Sequence, residues 1–176
     1  NASILAPFNG QNVSVNDAVV ITARATDDAG VSYIDVEVDG ASVGTVTSPT
    51  TDTTLEGDLL WDTTGVSIGR HTIQARAFDI DSNSDLSSTV SVYVRPAHCF
   101  NGVLDEDETG LDCGGSCGAC SGGACTTGDE CASGVCSGGV CVEQPVITGI
   151  SPPDGRPGTL VTISGANFGT APGTVT

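Results

Sequence analysis

Residues 99–141 read CFNGVLDEDETGLDCGGSCGACSGGACTTGDECASGVCSGGVC, and this stretch decides how the chain is divided. All 8 cysteines of the 176-residue sequence lie within it. Residues 1–98 and 142–176 contain none. The stretch has no Lys, no Arg, and only Phe100, Val103, Leu104, Leu111, Val135 and Val140 as large apolar side chains. So few cannot offset the backbone entropy of ordering a glycine-rich segment. Covalent or metal cross-links must hold it. Clustered cysteines of this kind point to an oxidising compartment and to structural disulfides at Cys99, Cys113, Cys117, Cys120, Cys125, Cys131, Cys136 and Cys141. Those 8 cysteines allow 105 pairings. Zinc or an iron–sulfur cluster is the other reading, because Cys117-Gly118-Ala119-Cys120 is a C-x-x-C. That motif here has no second pair of matching spacing and none of the βαβ context of a redox centre.

The rest of the composition favours strands and turns. Hydrophobic residues make up 38% of the chain, aromatics 4%, and there is no Met, so the cores are thin. Gly, Ser, Thr, Val and Asp dominate, and no run shows a helical apolar period. The formal charge is -17, from 22 acids against five arginines. This excludes an ordinary phosphate-binding surface and hence nucleic acid as a partner, and it disfavours an anionic membrane. The acidic excess suits divalent cations. No signal peptide and no apolar run of membrane-spanning length is visible. The chain opens at Asn1 without Met and stops at Thr176 in a strand-like run. The expectation is a mature fragment or a piece of something longer.

Residues 1–96 alternate apolar and polar in short runs. Strands are expected over 3–6, 18–26, 32–38, 41–47, 57–61, 70–78 and 87–95. In the second, Val19, Ile21, Ala23 and Ala25 share one face; in the third, Ile34, Val36 and Val38 point inward. Asp39-Gly40 supplies the positive φ angles of a type I′ hairpin turn. About seven strands at this spacing predict a two-sheet antiparallel sandwich with Trp61 as its core anchor. The runs P-x-N-G-Q-x-V, A-R-A-T-D-D-A-G-V, V-D-G and G-R-H-T-I-Q-A-R-A-F-D resemble the bacterial immunoglobulin-like domains that occur in tandem in secreted and surface proteins. The resemblance covers roughly residues 4–95, without the inter-sheet disulfide of antibody domains.

Residues 95–98 read as a linker. The pattern C-x-N-G-x-x-D-x-x-E-T-G-x-D-C-G-G-x-C-x-x-C over 99–120 resembles a small cysteine-rich module of bacterial extracellular proteins. Its continuation resembles the closing knots of secreted small domains. That likeness implies a crossed pairing, Cys125 with Cys136 and Cys131 with Cys141. After 142–144 the segment PVITGISPPDGRPGTLVTISGANFGT resembles the start of an IPT/TIG domain, another immunoglobulin-like fold. Pro145, Ile147, Ile150, Pro152, Gly155, Gly158, Val161, Ile163, Gly165, Phe168 and Gly169 fall on its pattern. The expected fold is all-β: an immunoglobulin-like sandwich (1–96), an irregular disulfide-rich connector (97–142) and a partial second sandwich (143–176). Six apolar residues of that last part, among them Leu160 and Phe168, need a cover from elsewhere in the polypeptide or from a neighbouring subunit.

Two acidic clusters are candidate calcium sites. Asp105, Asp107, Glu108 and Asp112 crowd one pinned loop, where like charges repel unless a cation or hydrogen-bond donors compensate them. Asp27 and Asp28, with Asp79 and Asp81, lie in loops at one end of an immunoglobulin-like sandwich. Ser84 and Val90 stand where an EF-hand needs Gly and Glu, so that loop is not an EF-hand. In both clusters the alternative is a set of Asp side chains capping their own turns. No catalytic motif occurs. His71 lies in a strand and His98 in the linker, neither with a nucleophile nearby in sequence. Asn1 and Asn12 head N-glycosylation sequons. No enzymatic activity and no cofactor other than calcium is expected. The function expected is that of a secreted or cell-surface stalk, fibre subunit or adhesin. Its partners would be adjacent domains, copies of itself, or a surface glycan or protein. The second reading is a polysaccharide-binding accessory region of a secreted hydrolase, which would need a row of exposed aromatics.

Overall fold

The computed structural model describes residues 1–47, 52–154, 156 and 158–168. Nine strands precede the cysteines: β1 (Ala2–Ala6), β2 (Gln11–Ser14), β3 (Ala18–Thr26), β4 (Val31–Val38), β5 (Ala41–Thr47), β6 (Thr54–Asp62), β7 (Gly69–Asp79), β8 (Ser84–Leu86) and β9 (Val90–Arg95). They form two sheets, ordered β1-β3-β6 and β2-β9-β7-β4-β5, with β8 on the flank of β7. Every pairing is antiparallel except β2 with β9, which run parallel from Gln11↔Val92 to Ser14↔Arg95. The fold is all-β, with an immunoglobulin-like sandwich at its N-terminal end.

The core follows from the alternation. Ile21 and Ala23 of β3 face Ile34 and Val36 of β4, Ile73 and Ala75 of β7, and Val92 and Val94 of β9, and all eight have 0% exposure. Each buried Ile or Val contributes roughly 1.5–3 kcal/mol relative to an exposed one. Trp61 is 5% exposed and meets the His71 ring edge-on, with centroids 6.0 Å apart. At the β4–β5 hairpin Asp39 (φ 51) and Gly40 (φ 79) both adopt positive φ, as a type I′ turn requires.

Two departures from the sequence expectation have physical causes. Gln11–Ser14 pairs as β2 although only Val13 of it is apolar, because its ladder partner Val92–Arg95 is remote in sequence. The last strand begins at Val90 rather than 87. Ser87 is buried outside it, donating its amide to the Ala75 carbonyl at 2.8 Å while its Oγ accepts from the Ala75 amide at 2.9 Å.

The cysteine-rich part contains three 3-10 turns (Ala97–Phe100, Gly115–Cys117 and Gly128–Glu130) and a small hairpin of β10 (Cys136–Ser137) and β11 (Val140–Cys141). Four disulfides hold it in two crossed pairs. Cys99–Cys117 crosses Cys113–Cys120, and Cys125–Cys136 crosses Cys131–Cys141. Then β12 (Val146–Ser151) and β13 (Thr162–Ala166) form an antiparallel pair. Its apolar residues are exposed, from Ile163 at 41% to Leu160 at 88%. Gly155 and Gly169 of the IPT-like pattern lie outside the described residues.

Candidate functional site

The acidic loop 105–112 is where the sequence gathers most potential ligands. The structure divides them. Asp107 is taken by the turn that follows Cys113. The Ser116 amide donates to its Oδ2 at 2.8 Å and the Ser116 hydroxyl to its Oδ1 at 3.0 Å. These bonds, the backbone one first, hold the Asp107 carboxyl below the usual carboxylate range. Gly115 (φ 51) permits the approach, since a Cβ there would meet the Asp107 carboxylate at 2.5 Å. Asp112 Oδ1 accepts from the Gly102 amide at 3.0 Å, and Glu108 Oε2 from the Asp112 amide at 3.1 Å. Asp105 Oδ2 accepts from Asn101 Nδ2 at 3.1 Å, whereas Asp105 Oδ1 is buried with no hydrogen-bond partner.

Among the described residues, just two groups of three or more His, Cys, Asp or Glu bring ligand atoms within 4.8 Å of one another. They are His98, Cys99, Glu108 and Cys117, and Cys125, Cys131 and Cys141. All their cysteines are in disulfides, so neither group offers thiolates for zinc or iron–sulfur binding. Of the acidic residues singled out in the sequence, Glu108 alone enters either group.

Of the second acidic cluster, Asp27 and Asp79 line one cleft of about 110 Å³, with Asn1, Phe78, Asn83 and Asp85, and Asp28 and Asp81 do not. Asp79 spends its carboxylate on its own turn. Oδ1 accepts from the amides of Asp81 (2.9 Å) and Asn83 (2.8 Å), and Oδ2 from Asn83 Nδ2 (2.7 Å). The Asn83 side chain contributes most to holding Asp79 below its ordinary range. Asp27 Oδ1 accepts from the Ala29 amide at 2.9 Å. Asp28 and Asp81 are exposed.

Sequence reasoning missed an association at His98. Its Nε2 lies 3.2 Å from Ser116 Oγ and 3.3 Å from Asp107 Oδ1, and its Nδ1 lies 3.5 Å from Glu106 Oε2. A serine, a histidine and a carboxylate thus meet in the order of a hydrolase triad. The surroundings lack the remaining parts. The Ser116 amide is bound to Asp107, and the amides of Cys117 and Gly118 donate to Gly114 and Gly115 carbonyls, so these three N–H groups are not free to form an oxyanion hole.

The junction between sandwich and cysteines is also built from side chains that the sequence did not mark as bridging: Arg95, Gln144 and Asn12, the last read only as a sequon head. Arg95, read as the first linker residue, ends β9 and is 5% exposed. Its Nη2 donates to the Cys131 carbonyl at 2.7 Å and the Asp129 carbonyl at 3.1 Å, and its Nε to Asn12 Oδ1 at 3.2 Å. Asn12 Nδ2 donates to the Ala132 carbonyl at 2.6 Å. Gln144 Nε2 donates to the carbonyls of Gly10 (2.9 Å) and Ser133 (2.6 Å).

Comparison with known proteins agrees with the sequence resemblances at both ends. Residues 1–75 match the bacterial Ig domain family, and residues 145–176 match the IPT/TIG domain family. No curated protein matches the chain. Among solved structures it is similar to the Clostridium thermocellum CbhA fibronectin(III)-like modules, at 18% identity and a TM-score of 0.44 over 53% of this chain and 94% of that one. It is also similar to a Jonesia denitrificans lytic polysaccharide monooxygenase, at 24% identity and a TM-score of 0.35 over 50% of this chain. That match covers 58% of the monooxygenase chain.

Proposed function

We propose that this chain is a section of a secreted or cell-surface structural protein, a stalk, fibre subunit or adhesin built from immunoglobulin-like units. The observation that carries this reading is the order of its parts: a bacterial-Ig-like sandwich, a knot closed by four disulfides, and an IPT/TIG-like hairpin. Disulfides persist in oxidising surroundings, and no helix among the described residues is long and apolar enough to cross a membrane. The polysaccharide-binding alternative draws no support from the aromatics. Trp61 and Tyr93 are buried, Tyr33 and Phe78 stack on each other at 4.5 Å, and the exposed Phe8, Phe100 and Phe168 fall one to each part of the chain instead of in one row. Immunolabelling of intact producing cells with an antibody against this chain, followed by non-reducing mass spectrometry, tests the reading. Surface-labelled protein with four intact bridges supports it, and protein found wholly inside the cell with free thiols refutes it.

Calcium is the cofactor we assign to the acidic loop. The support is the buried, unpartnered Oδ1 of Asp105, the kind of oxygen a hard cation satisfies. The oxygens of Asp105, Glu108 and Asp112 do not converge within 4.8 Å of one another here, so the loop would have to close on the ion for them to hold it, with Asp107 serving Ser116 and His98 instead.

A further inference from the structure

We infer that the second disulfide knot completes the sandwich, so that the redox state of Cys125–Cys136 and Cys131–Cys141 sets the stability of a domain that contains no cysteine. The inference starts at Arg95. A guanidinium removed from water must have its charge and its donors met by the protein. Among the described residues Arg95 pairs with no carboxylate within salt-bridge distance. Its partners are oxygens: one on Asn12 of β2, and two backbone carbonyls, of Asp129 and Cys131, from the knot. The Tyr93 ring lies 5.8 Å away and adds its π-face. Burial leaves the guanidinium below its ordinary value, and two of the three oxygens that keep it satisfied belong to the knot.

Those two carbonyls stay in place because of the bridges. Cys131 is fully buried and tied to Cys141, and the segment that contains Asp129 is closed by Cys125–Cys136. Few other buried apolar side chains hold this part, where the core consists of the cysteines themselves with Ala119 beside them. Opening the bridges restores chain entropy to the loop and withdraws the acceptors. Arg95 then keeps a buried charge with one oxygen, or leaves the core and takes the end of β9 with it. Close packing makes the joint stiff on both sides. A Cβ at Gly118 would sit 2.9 Å from Arg95 Nη1, and one at Gly134 would sit 2.9 Å from the Tyr93 ring. The contacts of Asn12 and Gln144 tie the same knot to β2 and to the turn before it.

Trp61 provides the readout, because it is the only indole and lies in the sandwich core away from every cysteine. Thermal unfolding of the whole chain is followed by Trp61 fluorescence with the bridges intact and after phosphine reduction. Reduction is expected to lower the Trp61 midpoint by about 5 °C or more. In Arg95→Ala the oxidised midpoint falls, and reduction then lowers it much less, a non-additivity that marks coupling. Asn12→Ala provides the same comparison if Arg95→Ala does not fold. The paired change Cys131→Ser with Cys141→Ser should reproduce the loss, whereas Cys113→Ser with Cys120→Ser should leave the Trp61 transition in place. An unchanged Trp61 midpoint on reduction overturns the inference. So does an equal drop in wild type and in the Arg95 or Asn12 variant.

Discussion

Thr63 Oγ1 grips Asp17 from both sides. It accepts from the Asp17 amide at 2.9 Å and donates to the Asp17 carbonyl at 2.8 Å, sharing its proton with the Ser14 carbonyl at 2.9 Å. Thr63 is fully buried, and this one hydroxyl joins the end of β6 to the turn between β2 and β3. Thr63→Val keeps the shape and leaves the part-buried Asp17 amide and the Ser14 carbonyl without their hydroxyl partner. The expected cost is about 1–3 kcal/mol, read as a lower urea midpoint at constant slope. A midpoint equal to wild type would show that the corner is held by its backbone bonds alone.

Two glycines let β5 and β6 close on each other across the sandwich. A Cβ on Gly57 would lie 2.5 Å from Val46 Cγ1, and one on Gly44 would collide with Leu59 Cδ1. Gly57 is not at a positive φ, so its role is spatial. Gly57→Ala should cost about 1–3 kcal/mol by overpacking, and Gly57→Ala with Val46→Ala should recover part of it. Paired denaturant titrations measure both.

Acid should loosen the sandwich through Asp39. Partial burial pushes its carboxyl up, but the Thr72 amide, the His71 ring 2.6 Å away and the Thr72 hydroxyl together leave it below the usual value. A carboxyl depressed in the folded state binds protons later than it does unfolded. Its stabilisation is therefore complete above the unfolded value of about 3.9 and is lost as pH falls through the folded value. Asp62, Asp79, Asp107 and Glu130 are depressed in the same direction. Relief of repulsion among the 22 acids acts oppositely, so the difference between wild type and Asp39→Asn isolates the effect. That difference should shrink as pH falls below about 4.

Calcium binding at the acidic loop is expected to appear as a saturable calorimetric heat and as a rise in thermal midpoint with added calcium. Asp105→Asn with Asp112→Asn should abolish both. Asp107→Asn should leave the heat and weaken the Ser116 turn. No saturable heat in the wild-type chain would leave the loop as a solvated turn.

The strands with clear alternation were legible without coordinates. Residues 18–26 and 41–47 pair over the bounds read from sequence, and Asp39-Gly40 turns as its residues dictate. What stayed hidden depends on distant partners. Polar Gln11–Ser14 becomes a strand only because Val92–Arg95 offers a ladder. Arg95 was legible as the end of a strand but not as the bridge to the knot, because the knot's two acceptors are backbone carbonyls, which carry no sequence signature. His98 and Ser116 meet because each directly precedes a cysteine of the bridge Cys99–Cys117, so the pairing alone would have placed them together.

The parallel pairing of β2 and β9 matters when the chain is pulled. The polypeptide enters β2 from its start and leaves β9 at its end, and the two strands point the same way. Tension applied across the sandwich therefore drags β2 backward and β9 forward along one shared ladder. The hydrogen bonds between Gln11–Ser14 and Val92–Arg95 lie across that motion, so they resist in shear and must yield together, not one after another as in an unzipping hairpin. Asn12 and Arg95, which sit in this ladder and also grip the knot, carry the strain into the disulfides. A chain wired in this way, when pulled, resists stretching first at the point where its folded domain hands over to covalent bonds.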